Sequence, residues 1–120
     1  MKHRVIAVDD QPDNLLVIED YLGKEYDVIT FNRGQALVEY FEAGNKADLV
    51  LLDIILPDLD GFEVARQIRQ MESPGDWTPI IFLSSLNKDK DIEEGIAAGG
   101  DAGEHRVIGA DVLDLALHLL

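Results

Sequence analysis

Three carboxylates and a hydroxyl stand at the ends of short apolar runs in this chain. Asp9 and Asp10 follow residues 4–8 (RVIAV), Asp53 follows residues 49–52 (LVLL), and Ser84 follows residues 80–83 (IIFL). Acids gathered in one cleft repel: unit charges about 4 Å apart cost roughly 4 kcal/mol at an effective dielectric near 20. Such a cluster persists only when a cation neutralises it or its pKa values rise. The chain has no cysteine. All donors are then oxygen, and a hard divalent ion such as Mg²⁺ is the natural occupant. Taken alone, Asp53 reads equally well as a turn former at a strand end. The acid pair at Asp9 and Asp10 tips the balance toward a shared site.

The elements that must position these groups follow from hydrophobic pattern. An apolar run without alternation suits a strand covered on both faces, so residues 4–8, 49–52 and 80–83 are predicted strands. Residues 27–31 (DVITF) alternate and are rich in β-branched side chains, which predicts another short strand. Pro12 suits the first turn of a helix, whose inward stripe is Leu15, Ile18 and Leu22, closed by Gly23. Gly34 opens a second helix with Leu37, Tyr40 and Phe41 inward, ending near Gly44. Asp60 and Glu63 have the spacing of a capping box, opening a third helix with Val64, Ala65, Ile68 and Met71 inward. Residues 73–79 (SPGDWTP) form a loop, with Trp77 a packing residue at the end opposite the acids. A fourth helix spans about 87–98. Residues 101–106 (DAGEHR) stand where a fifth strand is due yet contain little that favours one. Residues 109–120 are helical again, and Leu113, Leu117 and Leu120 leave an apolar edge suited to a partner, such as a homodimer through this last helix.

The alternation of strand and helix implies a parallel sheet with helices on both faces. In such sheets ligands bind beyond the carboxyl ends of the strands, which is where Asp9, Asp10, Asp53 and Ser84 fall. At 120 residues the chain reads as one domain, 1–120, large enough for a core without cross-links. Its net charge of −14 argues against binding nucleic acid or an anionic membrane through this domain. No apolar run approaches the length of a membrane span and no leader is visible, so a cytoplasmic location is expected.

The sequence resembles the receiver domains of two-component response regulators, most clearly in VDD at 8–10, LLDIILPDLDGFE at 51–63 and PIIFLSS at 79–85. The resemblance implies an α/β, flavodoxin-like fold: a single doubly wound five-stranded parallel sheet of order 2-1-3-4-5, here with a degenerate fifth strand. It also implies that Asp53 accepts a phosphoryl group, that Asp10 binds Mg²⁺ directly and Asp9 through water, and that the Ile55 carbonyl completes the protein's ligands. Ser84 would hydrogen-bond a phosphoryl oxygen. Arg106 stands where the family has a lysine, and a planar guanidinium does not replace an ammonium. Val107 replaces the usual proline, and Gly103 the usual switching aromatic. Ile55 and Leu86, both apolar, fall at the positions that in receivers help control loss of the phosphoryl group, so the resemblance implies a long-lived acyl phosphate here. The implied donor is a sensor histidine kinase or phosphotransfer protein, with an effector domain beyond Leu120 or a separate partner as output.

Other functions fit less well. A pseudo-receiver binding module would keep the fold and lose the switch, and residues 101–108 are its ground. A phosphatase with an aspartyl nucleophile would need an acid two residues after Asp53, where Ile55 stands, so enzymatic activity is expected to go no further than the domain's own phosphorylation and dephosphorylation. A flavin site would place phosphates against Asp9 and Asp10. His3, His105 and His118 are unclustered and read as surface residues.

Overall fold

The structure, a computed structural model, describes residues 2–83. Within them the order is β1 (Arg4–Val8), α1 (Pro12–Leu22), β2 (Asp27–Phe31), α2 (Gly34–Glu42), β3 (Leu49–Asp53), α3 (Gly61–Met71) and β4 (Ile80–Leu83). The first four expected strands and the first three helices form. The fourth helix, fifth strand and last helix, with Ser84, Leu86, Gly103, Arg106 and the apolar edge of 109–120, lie outside the described residues.

The strands are parallel in the order β2-β1-β3-β4, the first four places of the expected topology. Alternate side chains go to opposite faces. Ile6, Val8, Val50, Leu52, Ile80 and Phe82 pack with α2 and α3, while Val5, Ala7, Leu49, Leu51, Ile81 and Leu83 pack with Ile18 and Leu22 of α1. Every one of these strand residues is buried, which is why the runs do not alternate. Burial of each large aliphatic side chain contributes about 1.5–3 kcal/mol. Phe62 at the start of α3 meets Phe82 of β4 edge to face, with centroids 5.0 Å apart.

Several local expectations need correction. Met71 is partly exposed at the end of α3 rather than inward, and on α2 Val38 joins Leu37 in the core while Tyr40 and Phe41 are only partly buried beside it. The capping box at α3 is half formed: Asp60 accepts from the Phe62 amide at 2.7 Å, but Glu63 turns to Arg66 and Gln67 instead of back to the cap. Trp77 is 60% exposed. It stacks under the Arg69 guanidinium, 4.9 Å from the ring centroid, so it covers a cation and not the core. Arg69 in turn holds Glu72 at 2.9 Å and the Thr78 carbonyl at 2.8 Å, and Glu72 accepts from the Thr78 amide. This cluster fastens the loop before β4 to the end of α3.

Candidate metal and phosphoacceptor site

β1 and β3 are adjacent and in register, Val8 opposite Leu52. Their carboxyl ends therefore deliver their acids to the same place. Asp9, Asp10 and Asp53 each present an oxygen, and these oxygens lie within 4.8 Å of one another. Three sequence-predicted residues are thus brought together. Ile55 stands at the rim of the same edge with its side chain 61% exposed. Ser84 and Arg106 lie outside the described residues.

The three acids are held differently. Asp9 is fully buried, and both its oxygens have protein donors: the Gln11 amide at 2.8 Å and the Asn14 side chain at 3.0 Å. Its own amide is tied to the Phe31 carbonyl of β2. Asp10 is exposed. Asp53 is half-buried, and one oxygen accepts from the Ile55 amide at 3.2 Å. Burial pushes the Asp53 carboxyl up to about 7, the charges of Asp9 and Asp10 push the same way, and the Ile55 and Ile54 amides oppose them only in part. A carboxyl so placed calls for a cation. The donor set is all oxygen, so the residues present fit a hard divalent ion and suit no soft one.

The backbone beyond Asp53 is shaped by close approach. Gly61 packs against the Asp53 carbonyl so tightly that a Cβ there would collide with it, and the Gly61 amide bonds the Ile54 carbonyl at 2.7 Å. Asp58 then reaches away from the site to the start of α2, where it accepts from the amides of Gly34 at 2.9 Å and Gln35 at 2.8 Å. Burial acts to raise the Asp58 carboxyl, but the amides of Gln35, Gly34 and its own neighbourhood outweigh it and hold the group below its ordinary value. Asn14 and Asp58 were not singled out from sequence. The available signal for Asp58 was Arg33, a residue with no acceptor, at the N-cap position of α2.

Among the described residues no helix is long and apolar enough to cross a membrane. His3 is exposed, 3.5 Å from Asp48, as expected of a surface residue.

Comparison with known proteins agrees with this geometry. The chain is 35% identical over 101 residues to the transcriptional regulatory protein SpaR of Bacillus subtilis, a match covering 82% of this chain and 42% of that protein. It is 33% identical over 102 residues to the alkaline phosphatase synthesis transcriptional regulatory protein PhoP of Bacillus subtilis, covering 84% and 41%. The chain thus spans about two-fifths of the length of these curated relatives. Among solved structures, the BeF3-activated N-terminal receiver domain of Klebsiella pneumoniae RstA is similar at a TM-score of 0.76 and 34% identity, with 97% of each chain covered. The fold is the flavodoxin-like fold of receivers. Residues 5–103 match the model of the response regulator receiver domain, and with acids from two adjacent strands gathered at one sheet edge, the chain belongs to that family.

Proposed function

We propose that the whole chain, 1–120, is a receiver that accepts a phosphoryl group on Asp53 from a phosphohistidine of a sensor kinase or phosphotransfer protein. The observation that carries this is the meeting of Asp9, Asp10 and Asp53 oxygens within 4.8 Å at the carboxyl ends of β1 and β3. Mg²⁺, held by Asp10, Asp53 and the main-chain oxygen of Ile55, would supply positive charge that keeps the acids ionised and neutralises the phosphoryl oxygens.

The residues divide the work. An Asp53 carboxylate oxygen forms the bond to phosphorus while the phosphorus–nitrogen bond of the donor breaks, and the released histidine nitrogen takes up a proton. Both Asp9 oxygens already accept protein hydrogen bonds, which favours a contact through water over direct ligation. Asp10, exposed at the rim, is free to ligate directly. The assignments of Ser84 to a phosphoryl oxygen and Arg106 to the family's lysine position belong to the same proposal. So do an activity confined to the domain's own phosphorylation and dephosphorylation, a cytoplasmic location, no binding of nucleic acid or membrane by this domain, and a homodimer through the last helix. The curated relatives are transcriptional regulators much longer than the matched region, which supports an effector beyond Leu120 as the output. Nothing among the described residues favours the pseudo-receiver reading.

Intact-mass measurement after incubation with acetyl phosphate is the test. The wild type should gain one phosphoryl group with Mg²⁺ and none with chelator, and Asp53→Asn should gain none. A mass increase that survives in Asp53→Asn would remove Asp53 from the role.

A further inference from the structure

We propose that Asp58 is a positioning residue for the metal site: by clasping the start of α2 it fixes the loop 54–60 that carries the Ile55 carbonyl. This rests on the function proposed above.

α2 begins without a cap of its own. Arg33 at its N-cap is extended and makes no side-chain cap bond, so its first amides need acceptors from elsewhere. Asp58 supplies both, one oxygen to Gly34 and the other to Gln35, as charge-assisted bonds at the positive end of a helix. The fit extends beyond the carboxylate. A Cβ on Gly34 would stand 3.3 Å from Leu56 and 3.3 Å from Leu59, and closer still to Val64. The bare backbone of Gly34 is therefore the seat on which the loop rests.

The loop has few other restraints near the site. Its inner end is pinned by the Ile55 amide to Asp53 and by Gly61 to Ile54. The Ile55 side chain is mostly exposed, so packing does little to fix its peptide plane. Between Ile55 and Asp58 lies Pro57, whose φ is locked by its ring, so a displacement at Asp58 passes along a stiff segment to Ile55. A helix cap alone would explain the two hydrogen bonds. It would not predict that losing them changes affinity at a site on the other side of the loop.

Calorimetric Mg²⁺ titration separates the two roles. Asp58→Ala should bind Mg²⁺ roughly tenfold more weakly, the usual scale for losing a group that orients a ligand. Asp58→Asn keeps one acceptor and a side chain competent to cap, so it should fold and fall between Asp58→Ala and wild type. Val38→Ala, buried on α2 one turn beyond Gly34 and making no bond to Asp58, should lose stability and keep wild-type affinity. Coupling is reciprocal, so the Gly34 and Gln35 amide resonances should shift on Mg²⁺ addition in the wild type and stay still in Asp58→Ala. Wild-type affinity in both Asp58 variants, or an equal loss in Val38→Ala, would overturn the proposal. A wild type that fails to bind Mg²⁺ would instead overturn the reading beneath it.

Discussion

The Asn14 side chain donates to Asp9 Oδ2 at 3.0 Å, from the first turn of α1 into a carboxylate with no exposed surface. A buried carboxylate oxygen left without a donor costs about 1–3 kcal/mol. Asn14→Leu is therefore expected to lose about that much stability in urea unfolding. Asn14→Asp adds a fourth acid beside the cluster and should lose more without Mg²⁺ than with it. Equal unfolding midpoints for Asn14→Asp with and without the ion would separate Asn14 from the metal site.

Asp53 makes stability depend on pH in the opposite sense from a salt-bridged acid. Its carboxyl is raised from 3.8 to about 7, first by burial and then by Asp9 and Asp10. The folded state thus favours the protonated form, a benefit fully present below the unfolded pKa and lost as pH rises through about 7. Without divalent ions the protein should be more stable at pH 5 than at pH 8. Asp53→Asn should gain roughly 1–2 kcal/mol over wild type at pH 8, after allowance for solvent screening. Added Mg²⁺ should narrow that gap. Thermal melts across the range check this, and a wild type that gains stability steadily up to pH 8 would contradict it.

Gly61 is required by proximity and Gly75 by conformation, and the two should respond differently to alanine. A Cβ on Gly61 meets the Asp53 carbonyl, whereas Gly75 has φ +91 with open space around it. Gly61→Ala should cost about 1–3 kcal/mol through forced backbone movement and weaken Mg²⁺ binding. Gly75→Ala should cost about 1 kcal/mol and leave the ion's affinity unchanged. Paired calorimetric and unfolding measurements separate these outcomes.

The cluster at the end of α3 predicts a stability effect silent at the site. Arg69 and Glu72 side chains are 17% and 13% exposed, and removing Glu72 takes the charged partner from a largely buried guanidinium that keeps the Thr78 carbonyl and Trp77. Glu72→Ala should lose about 2–4 kcal/mol, below the fully buried case. Acetyl phosphate labelling of the folded variant should proceed as in wild type, and slowed labelling at full occupancy of the fold would argue against this separation.

The sheet was legible because β1, β3 and β4 are buried on both faces, which writes them into the sequence as unbroken apolar runs. Parallel topology put Asp9, Asp10 and Asp53 at one sheet edge, and the adjacency of β1 and β3 that makes them meet came from the strand order the resemblance implies. Contacts made across elements were not legible. Asp58 lies 24 residues from Gly34, and only the missing acceptor at Arg33 hinted that α2 is capped from a distance. Trp77 packs as expected, but its partner is a guanidinium on the preceding helix, which no pattern in the sequence named. Met71 continues the apolar stripe of α3, but it is the last residue of the helix and stands partly exposed.

The strand order also has a consequence for the nascent chain. β1 lies between β2 and β3, so the first strand made acquires one neighbour early and waits for the other. At about 5–20 residues per second, roughly 1–4 s separate synthesis of residue 31 from that of residue 53. During that interval one edge of an apolar strand has no partner, which makes it a template for pairing with other chains. Fragments ending at Gly44 should accordingly be insoluble or chaperone-bound, and those reaching Leu83 much less so. A soluble, monomeric 1–44 fragment would show that the waiting edge is protected by some other means.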